Sequence, residues 1–386
     1  MTGSDQRVAR EKNMEMIFNL LKDQDLSSSD MATKMGLSKT ALTKIMKEML
    51  DANYVFYKET NVIQDGRGRR KQYFTLNPDM GMIMFVNFIH QNIEVSLYDM
   101  KGSNIAHLLL STTMHQQEEV LPELMKDMIE MINTYQTIQR PLMNIIIAAP
   151  GKVDKKKNVF KQSNMYKALE SSEFAQTLHE TLNVPVYLKN DINLALHGYI
   201  KKTNHVEKNT LMIYLGDSVG GAIYSNGSIL EGDHGYAGEF GLMKTFDEHG
   251  NLTTVESLCA MKSLYHHLEI DGVEALINLD RKDSPVLEQS LLSLSSHMAQ
   301  LIHNFYQIFD FAHVCIAGDI AHIKKRFSSK VQDQLKRYDL ENLEINLDFE
   351  EHIEALMMLG AKDLGQTESF QSLISKRKGG LKHEHI

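Results

Sequence analysis

The sequence predicts an α/β protein in two parts: a small helical head with a β-hairpin over residues 1–78, and a larger two-lobed α/β domain over residues 79–386, its lobes at about 79–200 and 201–386. Three observations carry this. Apolar residues recur at helical spacing through the first fifty positions and then alternate. After Asn77-Pro78 strands alternate with helices in the order βββαβαβ, and a similar round begins at Thr210. A chain of 386 residues exceeds the roughly 250 to 300 at which single cores stop growing.

In the head, Met14, Ile17, Leu20 and Leu21 mark an amphipathic helix over Arg7 to Lys22. A second follows, capped by Ser28 or Ser29, with Met31, Ala32 and Met35 on its apolar face and Gly36 as the tight turn after it. Ser38 caps a third helix whose buried stripe is Leu42, Ile45, Met46, Met49 and Leu50. That stripe leaves Lys39, Thr40, Thr43, Lys44 and Lys47 outward. Helix, glycine turn, helix is a helix-turn-helix pattern, in which the start of the second helix of the motif enters the major groove. Small hydroxyls and lysines suit that place.

Tyr54 to Leu76 reads as a hairpin wing, YVFYKETNVI and KQYFTL joined by the basic turn QDGRGRR. Arg67, Arg69, Arg70 and Lys71 at its tip are suited to phosphates or a narrow minor groove. Charge is distributed accordingly. The chain carries −9 overall, but residues 1–80 hold 13 Lys+Arg against 11 Asp+Glu, and residues 34–71 nine against four. The acidity belongs to the rest, and the first 78 residues are expected to bind double-stranded DNA.

The larger part opens with strand candidates MIMFVNF, NIEVSLYD and NIAHLLL, then a helix from about Glu118 to Tyr135, the strand MNIIIAA, a helix near Glu173 to Leu182, and the strand VPVYL. The second round has strands TLMIYLG and GAIYSNG, long helices, and the short strands HVCIAG and LEINLD. Two such halves suggest a duplicated domain with a cleft between its lobes. No run approaches the ~20 apolar residues of a membrane span, and the polar start lacks a signal-peptide core, so a cytoplasmic address and no membrane partner are expected. Cys259 and Cys315 form neither a disulfide framework nor a CxxC motif.

Three segments, AAPGKVD (148–154), YLKNDINLALHGY (187–199) and LGDSVGGAIYSNGSILEGDHGYAGEFG (215–241), resemble in order and spacing the signatures of the ROK family of repressors and sugar kinases. With the winged helix in front, the chain resembles a ROK transcriptional regulator of the xylose- or N-acetylglucosamine-repressor type. The resemblance implies an actin/hexokinase-like fold, a sugar or sugar derivative held between lobes, and a homodimer reading a palindromic operator. It also implies site residues. Asn190 and Asp191 match the pair that holds sugar hydroxyls, Glu239 and Glu256 match two further sugar-contacting glutamates, Gly151 lies on the loop approaching the sugar, and Asn164 aligns with an Asn before the sugar-side helix. Asn190 and Asp191 also read as the cap of the helix INLALHGY, a role compatible with ligand binding.

Two family features are broken. Where the kinases have Asp-x-Gly-Gly-Thr, this chain has Asn87-Phe88-Ile89-His90, and the second phosphate loop reads Gly216-Asp217-Ser218-Val219-Gly220. An acid stands where a hydroxyl should meet phosphate, and like charges within ~4 Å cost a kcal/mol or more. No catalytic residues, and no ATP-dependent kinase activity, are therefore expected. The family's metal cluster is missing as well: Leu242 takes the His position and no cysteine lies between Gly241 and Cys259. His249, His266-His267 and the KHEHI tail lack ligand spacing, so neither metal nor cofactor is expected. Two alternatives remain open: a sugar kinase with a DNA-binding extension, and a regulator answering to a protein partner through a vestigial sugar site.

Overall fold

A computed structural model describes residues 3–58, 72–89, 92–111, 117–149, 151–154, 157–161, 167–170, 173–247, 249–338 and 345–380. The described chain forms two compact units. The first gathers 1–147, 165–188 and 362–386; the second gathers 148–164 and 189–361. This partition differs from the sequence division at 78 and about 200, because the chain passes between the units several times and the N-terminal segment packs into the first.

The first unit begins with α1 (Gly3–Asp23), β1 (Leu26–Ser27), α2 (Ser28–Met35), α3 (Lys39–Asp51), β2 (Val55–Lys58) and β3 (Tyr73–Leu76). The helix spacing of the sequence is realised: Ile17, Leu21, Met31, Leu42, Ile45, Met46 and Met49 are buried together, with Leu50 only partly covered. Two local details differ from expectation. Ser27, not Ser28 or Ser29, caps α2, accepting from the Asp30 N–H, and Ser27 also pairs with Tyr73 in a short strand that makes the sheet three-stranded, β1-β3-β2. Ser38 caps α3 as expected, accepting from the Ala41 N–H at 3.2 Å. Ser38→Ala should therefore cost the head about 1 kcal/mol, read as a lower urea midpoint for α1–α3 exchange protection.

An ion-pair hub ties this head to Lys101 in the larger part of the same unit. Asp25, after α1, accepts from Lys58 at 2.5 Å and from Lys101 at 2.6 Å, and Lys101 also donates to Thr75. Burial works to raise the Asp25 carboxyl, but the hydrogen bonds from Lys101, Lys58 and Thr75 outweigh it and hold the group well below the usual carboxylate range. Because the folded-state value is depressed, this stabilisation is present above about pH 4 and is lost as pH falls further. Asp25→Asn should flatten the acid limb of head unfolding followed by hydrogen exchange; an unchanged acid limb would contradict the assignment.

The remainder of the first unit is a five-stranded sheet ordered β10-β7-β4-β5-β6, from β4 (Met82–Ile89), β5 (Asn92–Asp99), β6 (Asn104–Ser111), β7 (Leu142–Ala149) and β10 (Val186–Asn190). Helices α4 (Gln117–Tyr135) and α5 (Glu173–Leu182) connect them, and a small β8–β9 hairpin (Lys152–Asp154 and Val159–Lys161) leaves for the second unit after β7. β4 and β7 are buried almost throughout, as strands of a sheet covered on both faces should be.

The second unit repeats that strand order: β13-β12-β11-β16-β17, with β11 (Thr210–Leu215) antiparallel to β12 (Val219–Ser225), which pairs with β13 (Ser228–Ile229). β11 runs parallel to β16 (His313–Gly318), and β16 to β17 (Asn346–Glu350). Around them lie α6 (Asp191–Thr203), the β14–β15 hairpin (Lys244–Phe246 and Leu252–Thr254), α7 (Val255–Cys259), α8 (Met261–Leu268), α9 (Gly272–Arg281), α10 (Pro285–Phe309) and α11 (Lys324–Leu335). Its core unites Ile213 and Ile316 from the sheet with Leu291, Met298 and Ile302 of α10 and Phe327 of α11. The last helix, α12 (Ile353–Gly380), starts in the second unit and continues from Lys362 in the first. Among the described residues no helix is long and apolar enough to cross a membrane.

Candidate functional site

Two sets of residues invite function, one on the head and one at the start of α6. On the head, α2 ends at Gly36 in the left-handed conformation (φ 63°), where the Leu37 N–H reaches back to the Ala32 carbonyl at 3.1 Å. The turn needs that backbone, and it ends α2 before α3 begins at Lys39. Ser38, Lys39, Thr40, Thr43, Lys44 and Lys47 are all exposed, on the side of α3 opposite Leu42 and Met49. Thr43 donates to the Lys39 carbonyl at 2.8 Å, which leaves the lysine side chains as the free-reaching groups. Arg67, Arg69, Arg70 and Lys71 lie outside the described residues.

The second set lies wholly in the second unit. Asn190 caps α6: its Oδ1 accepts from the Asn193 N–H at 2.9 Å while its Nδ2 donates to the Gly151 carbonyl at 3.0 Å. One side chain thus fixes a helix start and the loop after β7. Asp191, the first residue of the helix, accepts from the Ile192 N–H at 2.8 Å. Burial pushes its carboxyl up to about 6, against the pull of backbone hydrogen bonds and with a further push from Glu239. Burial also raises Glu239; Lys152 lowers it and Glu256 raises it again. Glu256, on α7, accepts from the Val219 N–H at 3.2 Å. Asp191, Glu239 and Glu256 thus act on one another electrostatically, and Asn190 ties Gly151 to the same helix start; Asn164 lies outside the described residues.

Glycines bring Glu239 there. A Cβ on Gly235 would stand 2.5 Å from the Val153 carbonyl oxygen and one on Gly238 2.2 Å from that of Gly221, both at positive φ. The loop lies directly on the backbones of β8 and β12, an approach only glycine permits.

The sequence reading missed Lys152. It is only 5% exposed, its Nζ stands 3.9 Å from the centre of the Tyr236 ring, and it faces Glu239. Lys189 pairs with Glu231 at 3.1 Å nearby in sequence to the cap. Nothing in the spacing of AAPGKVD distinguished a buried lysine from a strand-end one; only the glycine loop folding over it makes the difference.

The model of the ROK family matches residues 90–367. The chain belongs to the ROK family. Among its relatives, the xylose repressor of Bacillus spizizenii is 27% identical over 260 residues, covering 65% of this chain and 64% of that protein, a little under two thirds of its length. The beta-glucoside kinase of Listeria innocua is 28% identical over 46% of this chain and 64% of its own. The N-acetylglucosamine repressor of Escherichia coli O157:H7 is 19% identical, with 88% of each chain covered. A solved ROK transcriptional regulator, described as a homologue of the E. coli MLC protein, superposes with TM-score 0.73 at 18% identity, over 96% of this chain and 98% of that one. A Streptomyces griseus ROK glucokinase superposes with TM-score 0.59 at 16% identity, over 74% and 99%. Likeness at this identity shows the ROK actin/hexokinase-like fold.

ROK relatives thus include repressors and kinases. Gly216–Val219 is a tight turn closed by the Gly216 N–H on the Ser218 carbonyl. The neighbouring Tyr214 hydroxyl is pushed up by burial and then by Asp191, Asp319, Glu354 and Asp217. Tyr265 donates to Asp319 at 2.6 Å. The groups acting on the Tyr214 hydroxyl beside this turn are thus carboxylates. After Leu242, 51% exposed, comes the β14–β15 hairpin; among the described residues no cluster of His, Cys, Asp and Glu could hold a metal ion. Cys259 and Cys315 are free and buried, and burial pushes the Cys259 thiol up to about 12.

Proposed function

We propose that this ROK protein is a cytoplasmic, sequence-specific DNA-binding regulator, a repressor of carbohydrate-use genes whose affinity for DNA falls when a sugar occupies the Asn190–Asp191 site. Residues 1–78 are a winged helix-turn-helix in this reading and 79–386 a sugar-sensing ROK domain. α3 is the recognition helix, presenting Ser38, Lys39, Thr40, Thr43, Lys44 and Lys47 to base edges and phosphates. The wing contributes Arg67, Arg69, Arg70 and Lys71, and a homodimer reads a palindromic operator with half-sites spaced by whole helical turns.

The observation that carries the reading is the pairing of that exposed lysine and hydroxyl face with a phosphate loop lined by acids. A kinase needs the reverse at its nucleotide. Accordingly, incubation of the purified chain with ATP and a panel of hexoses should give no sugar phosphate; measurable turnover would overturn the non-enzyme assignment.

The head is tested by titrating a duplex selected by the wild-type chain from a random pool. Arg69→Ala should weaken binding uniformly and lower the salt slope by about one, whereas Lys44→Ala should change sequence preference more. Unchanged binding by both variants would remove these assignments.

For the effector, the carboxylates Asp191, Glu239 and Glu256 with one lysine facing them suit an uncharged polyol, whose hydroxyls donate to carboxylates. A sugar at 100 times its dissociation constant should stabilise the chain by about 2.7 kcal/mol, and the corresponding sugar phosphate by less. A melt unmoved by every sugar would favour a regulator that answers to a protein partner.

A further inference from the structure

We infer that α12 is the element through which occupancy of the Asn190–Asp191 site reaches the DNA-binding helices, an inference that rests on the regulator reading above. Its first turns and its middle are anchored in different ways. At its start it touches α6 backbone to backbone: a Cβ on Gly198 would lie 1.9 Å from the Leu356 carbonyl oxygen, and one on Gly360 2.2 Å from that of Leu194. No side chain cushions this contact, so α12 follows any shift of α6. α6 is the helix that Asn190 caps and Asp191 opens.

From Lys362 onward α12 is held by the first unit. Asn144 donates to the Gly365 carbonyl at 2.9 Å and to Ser369 Oγ at 2.8 Å, and Gln366 donates to the Met100 carbonyl at 3.1 Å. The same stretch grips the head. Lys22, at the end of α1, has a side chain only 3% exposed; its Nζ donates to Asp363 at 2.7 Å and to Thr367 at 3.1 Å. One turn further, Phe370 stacks on Phe18 of α1 with ring centres 4.2 Å apart and receives Tyr54 edge-on at 5.3 Å. α1 in turn carries α3, to which it is joined by the Arg10–Glu48 ion pair. The head is thus bolted to α12 by a buried charge and an aromatic stack. One continuous helix connects those bolts to the glycine contact on α6, from Leu356 to Phe370, about 21 Å along its axis.

The coupling is read by two variants that replace no residue of either candidate site, Gly198→Ala on α6 and the near-isosteric Asp363→Asn on α12. The probes are the duplex selected by the wild-type chain and, as effectors, xylose, glucose and N-acetylglucosamine. The wild-type chain should release the duplex at least about fivefold more readily with one of these sugars. Both variants should still show the sugar-dependent thermal shift while the effect of sugar on duplex affinity shrinks to less than twofold. Either variant folding, binding sugar and keeping the full wild-type response overturns the inference and leaves the regulator reading standing. A wild-type chain that retains no duplex, or retains it regardless of every sugar, overturns the regulator reading itself, and the inference with it.

Discussion

Replacing Phe370 by alanine is expected to destabilise the first unit by about 3–5 kcal/mol, the range for deleting a large buried aromatic. Phe370 is 1% exposed, and its neighbours on the head side are themselves rings, Phe18 and Tyr54, that cannot collapse into the gap without leaving their own packing. Aromatic pairs of this geometry add about 0.5–1.5 kcal/mol beyond area burial. The loss should be local. Amide protection at α1 and α3 should fall together with that of α12 beyond Lys362, while β11 and β16 of the second unit keep theirs. Equal loss in both units would show that the head is not anchored where these contacts put it.

The second large effect concerns Asp191. Asp191→Ala should weaken sugar binding about tenfold to 150-fold, the equivalent of one hydrogen bond to a charged group. The pH dependence has a definite sign. With its carboxyl pushed up to about 6 by burial, the ionised acceptor is progressively lost as pH falls through that value, so sugar affinity should drop below pH 6. Folding stability responds in the opposite sense. A raised folded-state value means that the native chain holds the proton more tightly than the unfolded one, so this group adds stability as pH falls from about 6 towards 4. Isothermal titration between pH 5 and 8 checks the first, and a flat profile in the wild type would remove Asp191 from the sugar contacts.

The head was legible because its information is local. Leu42, Ile45, Met46 and Met49 share one face of a helix for reasons of period alone, and Ser38 can cap only the helix it precedes. Where local signals were degenerate, the reading slipped: Ser27, Ser28 and Ser29 are chemically equal, and Ser27 is selected by its pairing with Tyr73, a partner 46 positions away that no cap rule contains. Asn190, Asp191, Glu239 and Glu256 are candidates through family resemblance alone, and the fold brings the three carboxylates within electrostatic reach of one another. Lys152 and the grip of α12 on the head were invisible for a different reason. Lys152 comes to lie beside Tyr236 and Glu239 only because Gly235 lets its loop lie against Val153. Lys22 and Asp363 are separated by 341 positions, and nothing in either neighbourhood advertises the other.

Fluorescence anisotropy of a labelled duplex, selected by the wild-type chain from a random pool and titrated with and without each sugar of a neutral panel, measures whether one chain joins a DNA reader to a sugar sensor. Binding should be salt-dependent and, with one of those sugars, weaker by at least about fivefold. A chain that binds no duplex more tightly than random DNA, or whose binding is unmoved by every sugar that shifts its melting temperature, would contradict the joining of reader to sensor.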